Sequence, residues 1–196
     1  MNKVIKKGFS ILVSLIFFSM LFFDSGFYSS WNMFTTIEAN AACSANAFVE
    51  FAIGEIGNNY SKYTHALGSI EGSYQYSWCA AFTSYCAKQM GLTEIKQAAG
   101  CDNQYYNSGG TKHRVEDNRS YTPQSGDLVY YHWNDSDSDH EFTHVEIVEW
   151  FDSDANIIHT IAGNSGTGST TTRKVCRRER YYDNQVKCFK FPSLEQ

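Results

Sequence analysis

The sequence predicts an α+β protein in which N-terminal helices pack on a mostly antiparallel β-sheet. Apolar residues recur at helical intervals in the first half of the chain, whereas the second half is rich in β-branched and aromatic residues separated by turn signals. The length of 196 residues fits one globular unit. Because the helices precede the strands, we expect the two kinds of element to form segregated layers.

Two helices are predicted. The first runs from Ala45 to Asn58, where apolar residues recur every three or four positions before a Gly-Asn stop. The second repeats this period over residues 78–90, with Ser77 as its N-cap and Gly91 as its C-terminal stop.

Five strands follow a polar stretch over residues 102–126. Each has the β-branched and aromatic composition of a strand, and Asp, Asn, Ser or Gly turns separate them. The predicted strands are Leu128–Trp133, His144–Phe151, Asn156–Ala162, Thr170–Arg177 and Val186–Phe191.

The N-terminus has the pattern of a secretory signal. Three lysines precede an uncharged, mostly apolar run from Phe9 to Phe23, and Ala39-Asn40-Ala41 offers a cleavage site. We therefore expect residues 1–41 to be removed and residues 42–196 to form a single secreted domain, extracellular or associated with the cell wall and free of the membrane. This domain is expected to be a monomer. A net charge of −5 argues against a nucleic-acid partner, whose phosphates need a basic face.

The six cysteines are interpreted in the light of secretion, because extracellular cysteines pair unless chemistry keeps one reduced. Cys176 and Cys188 flank a connection that holds an Asp-Asn turn signal, which predicts a disulfide between two neighbouring strands. A Cys43–Cys101 bond is a weaker expectation, and Cys86 is expected to be a buried thiol.

Cys79 and His144 are the candidates for nucleophile and base. Cys79 lies in the first turn of the second predicted helix, where unpaired N–H groups and the helix dipole stabilise a thiolate. The competing interpretation is a core cysteine or half of a disulfide. His144 opens a strongly apolar strand, which suggests that its ring faces a site, although a hydrogen-bonded core histidine is the alternative.

Four blocks of the sequence resemble the CHAP family, the cysteine, histidine-dependent amidohydrolases/peptidases. The blocks are Trp78 to Cys86, Gly126 to Tyr131, His144 to Val148 and Ile161 to Asn164, in the family's order. The resemblance implies a papain-like α+β fold with Cys79 as nucleophile and His144 as base. It also implies cleavage of bacterial peptidoglycan, by an N-acetylmuramoyl-L-alanine amidase or a peptide-bridge endopeptidase.

Two positions depart from the family's pattern. Glu146 stands where members usually carry glycine, and Ala162 stands where they usually carry glutamate. We hypothesise that Glu146 supplies the orienting carboxylate that Ala162 lacks. The same exchange motivates a rival interpretation, in which the chain is a wall-binding protein on the same fold that has lost turnover.

The predicted register of the two central strands adds Asn164 to the site. If these strands form a hairpin with Phe151 opposite Ile157, then His144 falls opposite Asn164. Directly opposed residues share one face of a sheet. We therefore expect Asn164 to orient the imidazole, as the third residue of a Cys-His-Asn triad.

The tetrahedral oxyanion of such a reaction needs donors. We expect the backbone N–H of Cys79, at the helix start, to be the first hydrogen-bond donor, and the Gln75 side chain is a candidate for the second donor.

No cofactor or metal is expected. The spacings of His132, His140 and His144 match no familiar zinc motif. The acidic loop before His144 lacks the glycine that a calcium loop requires at its sixth position. The basic run over residues 173–180 is interpreted as a charged strand face, or as a surface that touches wall polymers carrying carboxylates or phosphates.

Overall fold

The computed structural model describes residues 44–67, 77–115, 120–133 and 139–192. Within these ranges the chain forms four helices and six strands. The helices are α1 (Ala45–Gly54), α2 (Tyr60–Ala66), α3 (Cys79–Gln89) and α4 (Cys101–Asn107). The strands are β1 (Thr111–Arg114), β2 (Leu128–Tyr131), β3 (His144–Asp152), β4 (Ile157–Ser165), β5 (Lys174–Tyr181) and β6 (Val186–Phe191). The predicted leader over residues 1–41, Cys43 and Gln75 lie outside the described residues.

All six described strands belong to one sheet in the order β1-β6-β2-β3-β4-β5, and every neighbouring pair is antiparallel. Strand β2 is fully buried, since it lies between β3 and β6 and is covered on both faces. The helices precede all six strands along the described chain. The predicted α+β class is therefore confirmed.

Helix α3 is the buried centre of the helical layer and packs against β3 and β4. Eight of its residues are buried, because small side chains such as Ala80 and Ala81 let the helix approach the sheet closely. Gly163 of β4 is part of this approach. A Cβ atom at that position would lie 2.5 Å from the Cβ atom of Phe82, so the contact leaves no room for a side chain.

The start of α3 differs from the prediction in one respect. The N-cap is Trp78 rather than Ser77, and its side chain makes no capping hydrogen bond. Instead, the Trp78 indole donates to the Thr170 carbonyl at 2.8 Å and stacks on the Tyr63 ring. These contacts anchor the helix start and leave the first backbone N–H groups uncapped by a side chain.

Three elements were not expected. Helix α2 begins after Asn59, whose side chain accepts a hydrogen bond from Ser61 N, within a stretch that the sequence suggests is a turn-rich connection. Helix α4 begins one residue before the polar stretch 102–126, and the edge strand β1 lies within that stretch. Helix α1 ends at Gly54, four residues before the predicted end.

The hairpin of β3 and β4 is offset by one residue from the prediction at its loop end. Phe151 pairs with Ile158 rather than with Ile157. A bulge in β3 between Val148 and Trp150 takes up the extra residue. Ile147 therefore pairs with Ile161, as predicted. The predicted alignment is therefore recovered at Ile147, three residues after His144.

The predicted Cys176–Cys188 disulfide is wrong. Cys176 lies on edge strand β5 and Cys188 on β6, and β2, β3 and β4 separate the two strands. Four inter-strand steps of about 4.8 Å place them far beyond the roughly 7 Å that a disulfide can span between Cα atoms. Both are free thiols, as are Cys79, Cys86 and Cys101. The buried Cys188 thiol instead donates to the Tyr105 hydroxyl at 2.9 Å.

Within the described ranges, no helix has the length and apolar character needed to cross a bilayer.

Candidate active site

Cys79 is the first residue of α3, and its surface is only 1% exposed. The N–H groups of the first helical turn have no acceptor four residues back within the helix, so partial positive charge surrounds the sulfur. The Sγ atom of Cys101, at the start of α4, lies 3.6 Å away. A second thiol therefore adjoins the predicted nucleophile.

His144 is the first residue of β3, and it lies close enough to Cys79 for its charge and its ring to lower the pKa of that thiol. Its ring is 4% exposed. The Nε2 atom faces Glu146, at 3.1 Å from Oε1, which leaves Nδ1 for the sulfur. The two residues singled out in the sequence as nucleophile and base are thus neighbours.

The electrostatics favour a charged Cys79. A hydrogen bond from the Cys101 thiol, the positive charge of His144 and a hydrogen bond from its ring hold the pKa of the Cys79 thiol well below its usual range, although burial opposes them. The hydrogen bond to Cys79 and burial raise the pKa of the Cys101 thiol well above its usual range. Cys79 is therefore the thiolate of the pair, and Cys101 the donor.

His144 is correspondingly held in its protonated form. Burial alone would lower its pKa, but the negative charges of Cys79 and Glu146 and their hydrogen bonds raise the pKa of His144 to about 9. The two partners therefore form a thiolate–imidazolium pair at neutral pH.

Glu146 is completely buried and is the third member of this chain of contacts. Its Oε2 atom accepts a hydrogen bond from Thr160 Oγ1 at 2.6 Å, and its Oε1 atom accepts one from Arg180 Nη2 at 2.6 Å. Burial would raise its pKa, but hydrogen bonds and charge from His144 and Arg180 lower the pKa of Glu146 to about 2. The carboxylate is thus ionised at neutral pH, and it contacts the imidazole ring.

Residues 71–164 match the sequence profile of the CHAP domain, and this range contains Cys79, His144 and Glu146. This stretch of the chain is similar to the CHAP domain. Among solved structures, the fold is similar to the endolysin LysIME-EF1, with a TM-score of 0.52 and 12% identity over 76% of this chain and 65% of that one.

A second structure, Ly7917, matches with a TM-score of 0.46 and 16% identity over 76% of this chain and 62% of its own. The chain thus spans slightly less than two thirds of the length of either structure. No curated protein matches it.

Trp133 covers the ion pairs that Glu146 makes with His144 and Arg180. Its indole stacks on the His144 ring with centroids 4.3 Å apart, and the Arg180 guanidinium lies over the same indole at 4.8 Å. The aromatic face limits access of water to both cationic groups, which strengthens their attraction to Glu146.

Asn164 lies near the catalytic pair but does not make the expected contact. It has a φ of 53° within an irregular part of β4, so it departs from the strand alternation on which the prediction depended. Its Oδ1 atom is buried and has no hydrogen-bond partner among the described residues. Glu146 makes the contact with the imidazole that we expected from Asn164, and the catalytic role of Asn164 stays a prediction.

Thr160, Arg180, Trp133 and Cys101 were not identified as site residues from the sequence. Arg180 was included in the basic run that we interpreted as a charged strand face. A sequence signal existed for Thr160, which is a polar residue in an otherwise apolar strand. No local pattern marks Cys101, because its position depends on how α4 packs beside α3.

The zinc alternative finds no support in the geometry. Among the described residues, which include His132, His140 and His144, no group of three or more potential metal ligands comes together. The His132 ring instead contacts the Glu141 carbonyl at 3.1 Å.

Proposed function

We propose that the protein is a secreted, cysteine-dependent hydrolase that cleaves amide bonds in bacterial peptidoglycan. The observation that carries the proposal is the Cys79–His144–Glu146 chain at the start of α3, within the stretch that is similar to the CHAP domain. The substrate class comes from the CHAP family. The amidase and peptide-bridge endopeptidase reactions both require this chemistry, so the proposal covers both.

The reaction begins with attack of the Cys79 thiolate on the carbonyl carbon of the scissile amide. The protonated His144 ring then donates its proton to the leaving amine, and a thioester remains. The neutral ring next takes a proton from water, whose oxygen attacks the thioester and releases the carboxylate and the thiolate. Glu146 holds the ring in position and stabilises its charge through both steps.

We propose that backbone N–H groups at the start of α3 bind the oxyanion of each tetrahedral intermediate. The N–H of Cys79 is adjacent to the nucleophile, and the helix start presents uncapped donors with positive partial charge. We propose Gln75 as a second donor, on the strength of its position in the sequence just before the helix.

The wild-type protein and Cys79→Ala, each incubated with purified cell walls, provide the direct test. We expect wild type to clear the walls, and Cys79→Ala or iodoacetamide treatment to abolish clearing. A chelator should have no effect. If wild type binds the walls without clearing them, the rival function of a wall-binding protein is favoured. Mass spectrometry of the released muropeptides identifies the bond that is cut.

The proposed active form is a monomer of residues 42–196, released after removal of residues 1–41. N-terminal sequencing of the exported protein tests the cleavage point, and light scattering tests the oligomeric state.

A further inference from the structure

A cleft with a volume of about 560 Å³ opens beside the catalytic histidine. We call it the arginine cleft. Its lining includes Trp133, His144, the segment 164–167 and three arginines, Arg173, Arg178 and Arg180. Because His144 lines the cleft, a group bound there lies next to the proposed base.

Two of the three guanidinium groups have no carboxylate partner among the described residues. Arg180 is paired with Glu146. Arg178 donates from Nε to Ser165 Oγ at 2.5 Å, and Arg173 donates from Nε to the Gly168 carbonyl at 3.1 Å. A guanidinium carries five N–H donors, and the remaining donors of both arginines have no acceptor among the described residues.

Two acidic residues also line the cleft but do not neutralise these arginines. The Glu179 side chain is 72% exposed and lies 3.9 Å from the His159 ring. Asp183 accepts a hydrogen bond from Gln185 N within its own turn.

Asn164 supplies an independent observation. Asn164 is only 5% exposed and lines the cleft, and its Oδ1 atom is buried and has no partner among the described residues. A buried acceptor without a donor is unfavourable, and such groups in native structures call for an explanation. An N–H group on a bound ligand would satisfy it.

We propose that the arginine cleft binds a peptide segment of the substrate that carries a free carboxylate, with Arg178 and Arg173 on the carboxylate and Asn164 Oδ1 accepting from a peptide N–H. Planar guanidinium groups match carboxylates in a bidentate arrangement. Peptidoglycan stem peptides offer free carboxylates and amide N–H groups close together. This inference rests on the proposed function and adds the specificity of the same site.

The test compares two preparations of the same soluble muropeptides, one with free carboxylates and one with the carboxylates converted to carboxamides. Wild type should lose at least about tenfold in kcat/KM on the amidated preparation. Arg178→Gln should lose a similar factor on the free carboxylates, mainly through KM, and lose nothing further on the amides.

Arg177→Gln is the matched control. Arg177 precedes Arg178 on β5, is paired with Glu149 at 3.0 Å and is not among the residues that line the arginine cleft. The Arg177→Gln variant should therefore behave like wild type on both preparations. Equal losses for Arg178→Gln on both preparations, or no loss on either, would overturn the proposal. Arg178→Gln can also be assayed on cell walls that carry phosphate polymers. If this variant loses activity on those walls but not on muropeptides, the proposal is overturned and the cleft is assigned to phosphate.

Failure of the proposed function would be visible separately. If wild type cleaves neither preparation, calorimetric binding of the two muropeptide preparations to Cys79→Ala still tests the cleft. A preference for the free carboxylates that Arg178→Gln removes would support the inference. Equal binding of both preparations would contradict it.

A second, independent observation concerns the two adjacent thiols. We infer that Cys101 is a positioning residue, which donates a hydrogen bond to the Cys79 thiolate over the 3.6 Å between their sulfurs. Both side chains are buried, so this bond is shielded from water. Asp102 holds the start of α4 in place, because its carboxylate accepts from Phe142 N at 2.8 Å.

The alkylation rate of Cys79 by iodoacetamide, followed across pH by mass spectrometry of its peptide, tests this role without any substrate. Cys101→Ala should move the midpoint of the profile to higher pH, because the thiolate loses a donor. Cys101→Ser should restore much of the wild-type profile, because a hydroxyl can donate in the same place. A merely structural cysteine would give three identical midpoints, and that result would overturn the inference.

Discussion

The Nε2 atom of His144 lies 3.1 Å from Oε1 of Glu146, two residues further along the same strand. Alternate residues of a strand share one face of the sheet, so β3 presents the His144 ring and the Glu146 carboxylate on the same side. Ala162 of β4, the position where the CHAP resemblance implies a glutamate, is buried in the sheet. These positions fit our hypothesis that Glu146 supplies the orienting carboxylate that Ala162 lacks.

Glu146→Gln is predicted to lower kcat by at least about tenfold, since the amide carries no charge to stabilise the imidazolium. It should also lower the pKa of His144, which NMR titration of the ring can measure.

Glu149→Gln is the control for this prediction, because Glu149 forms a partly exposed ion pair with Arg177 away from the site. The role of Glu146 is refuted if both variants retain wild-type kcat and leave the pKa of His144 unchanged.

The pH dependence of activity follows from the thiolate–imidazolium pair. The pKa of Cys79 is lowered and that of His144 is raised to about 9, so the reactive charge state persists between the two values. We expect kcat/KM to stay high through neutral pH and to fall as pH rises through about 9, where the imidazolium loses the proton needed by the leaving amine. If kcat/KM already falls as pH rises towards 7, this assignment is contradicted.

The same two shifts have opposite effects on stability. The raised pKa of His144 gives stability that is lost as pH rises towards about 9, whereas the lowered pKa of Cys79 gives stability that is gained over a similar range. The pair should therefore add little net pH dependence between roughly 6.5 and 8.5, the ordinary values of the two groups. On the acid side, the stabilising effect of Glu146 should be lost as pH falls from its ordinary range through about 2.

Gly163→Ala is predicted to destabilise the fold by about 1–3 kcal/mol, because the new methyl group would meet Phe82 within van der Waals distance. Chemical denaturation measures the change. Gly54→Ala is the matched control, because a Cβ atom there meets nothing within 4 Å and the helix should tolerate it. Equal stabilities of the two variants would show that α3 and β4 are not closely packed at Gly163.

Trp133→Ala is predicted to lower kcat several-fold by admitting water to the His144 and Arg180 charges. Trp150→Ala is a close control, since Trp150 also stacks on a histidine, His159, and is similarly exposed at 47% against 39%. Only the first variant should lose activity. An equal loss in both would point to a general effect on the sheet.

The sequence was informative where a residue's role depends on its own element. The start of α3 places Cys79, the head of β3 places His144, and the two-residue spacing places Glu146 beside it. Contacts between elements were harder to predict. Arg180 and Thr160 reach Glu146 from strands whose pairing contains register shifts.

Two expectations depended on more than one element. The expected contact between Asn164 and His144 is not made in the structure, because a positive φ at Asn164 interrupts the strand alternation. The Cys176–Cys188 bond was wrong because β5 and β6 are consecutive in the chain but lie at different places in the sheet. Strand order depends on how the whole chain packs, and a turn signal between two strands does not determine it.

The central claim is that His144 keeps Cys79 as a thiolate, and the alkylation of Cys79 in wild type and in His144→Ala tests it most directly. We predict that wild type reacts with iodoacetamide at Cys79 well below pH 8.5, the ordinary midpoint of a thiol, with parallel loss of wall hydrolysis, and that His144→Ala reacts only at higher pH. Cys86, whose pKa is raised by burial, should stay unlabelled under the same conditions. Identical profiles for wild type and His144→Ala, both centred near the ordinary thiol value, would contradict the account.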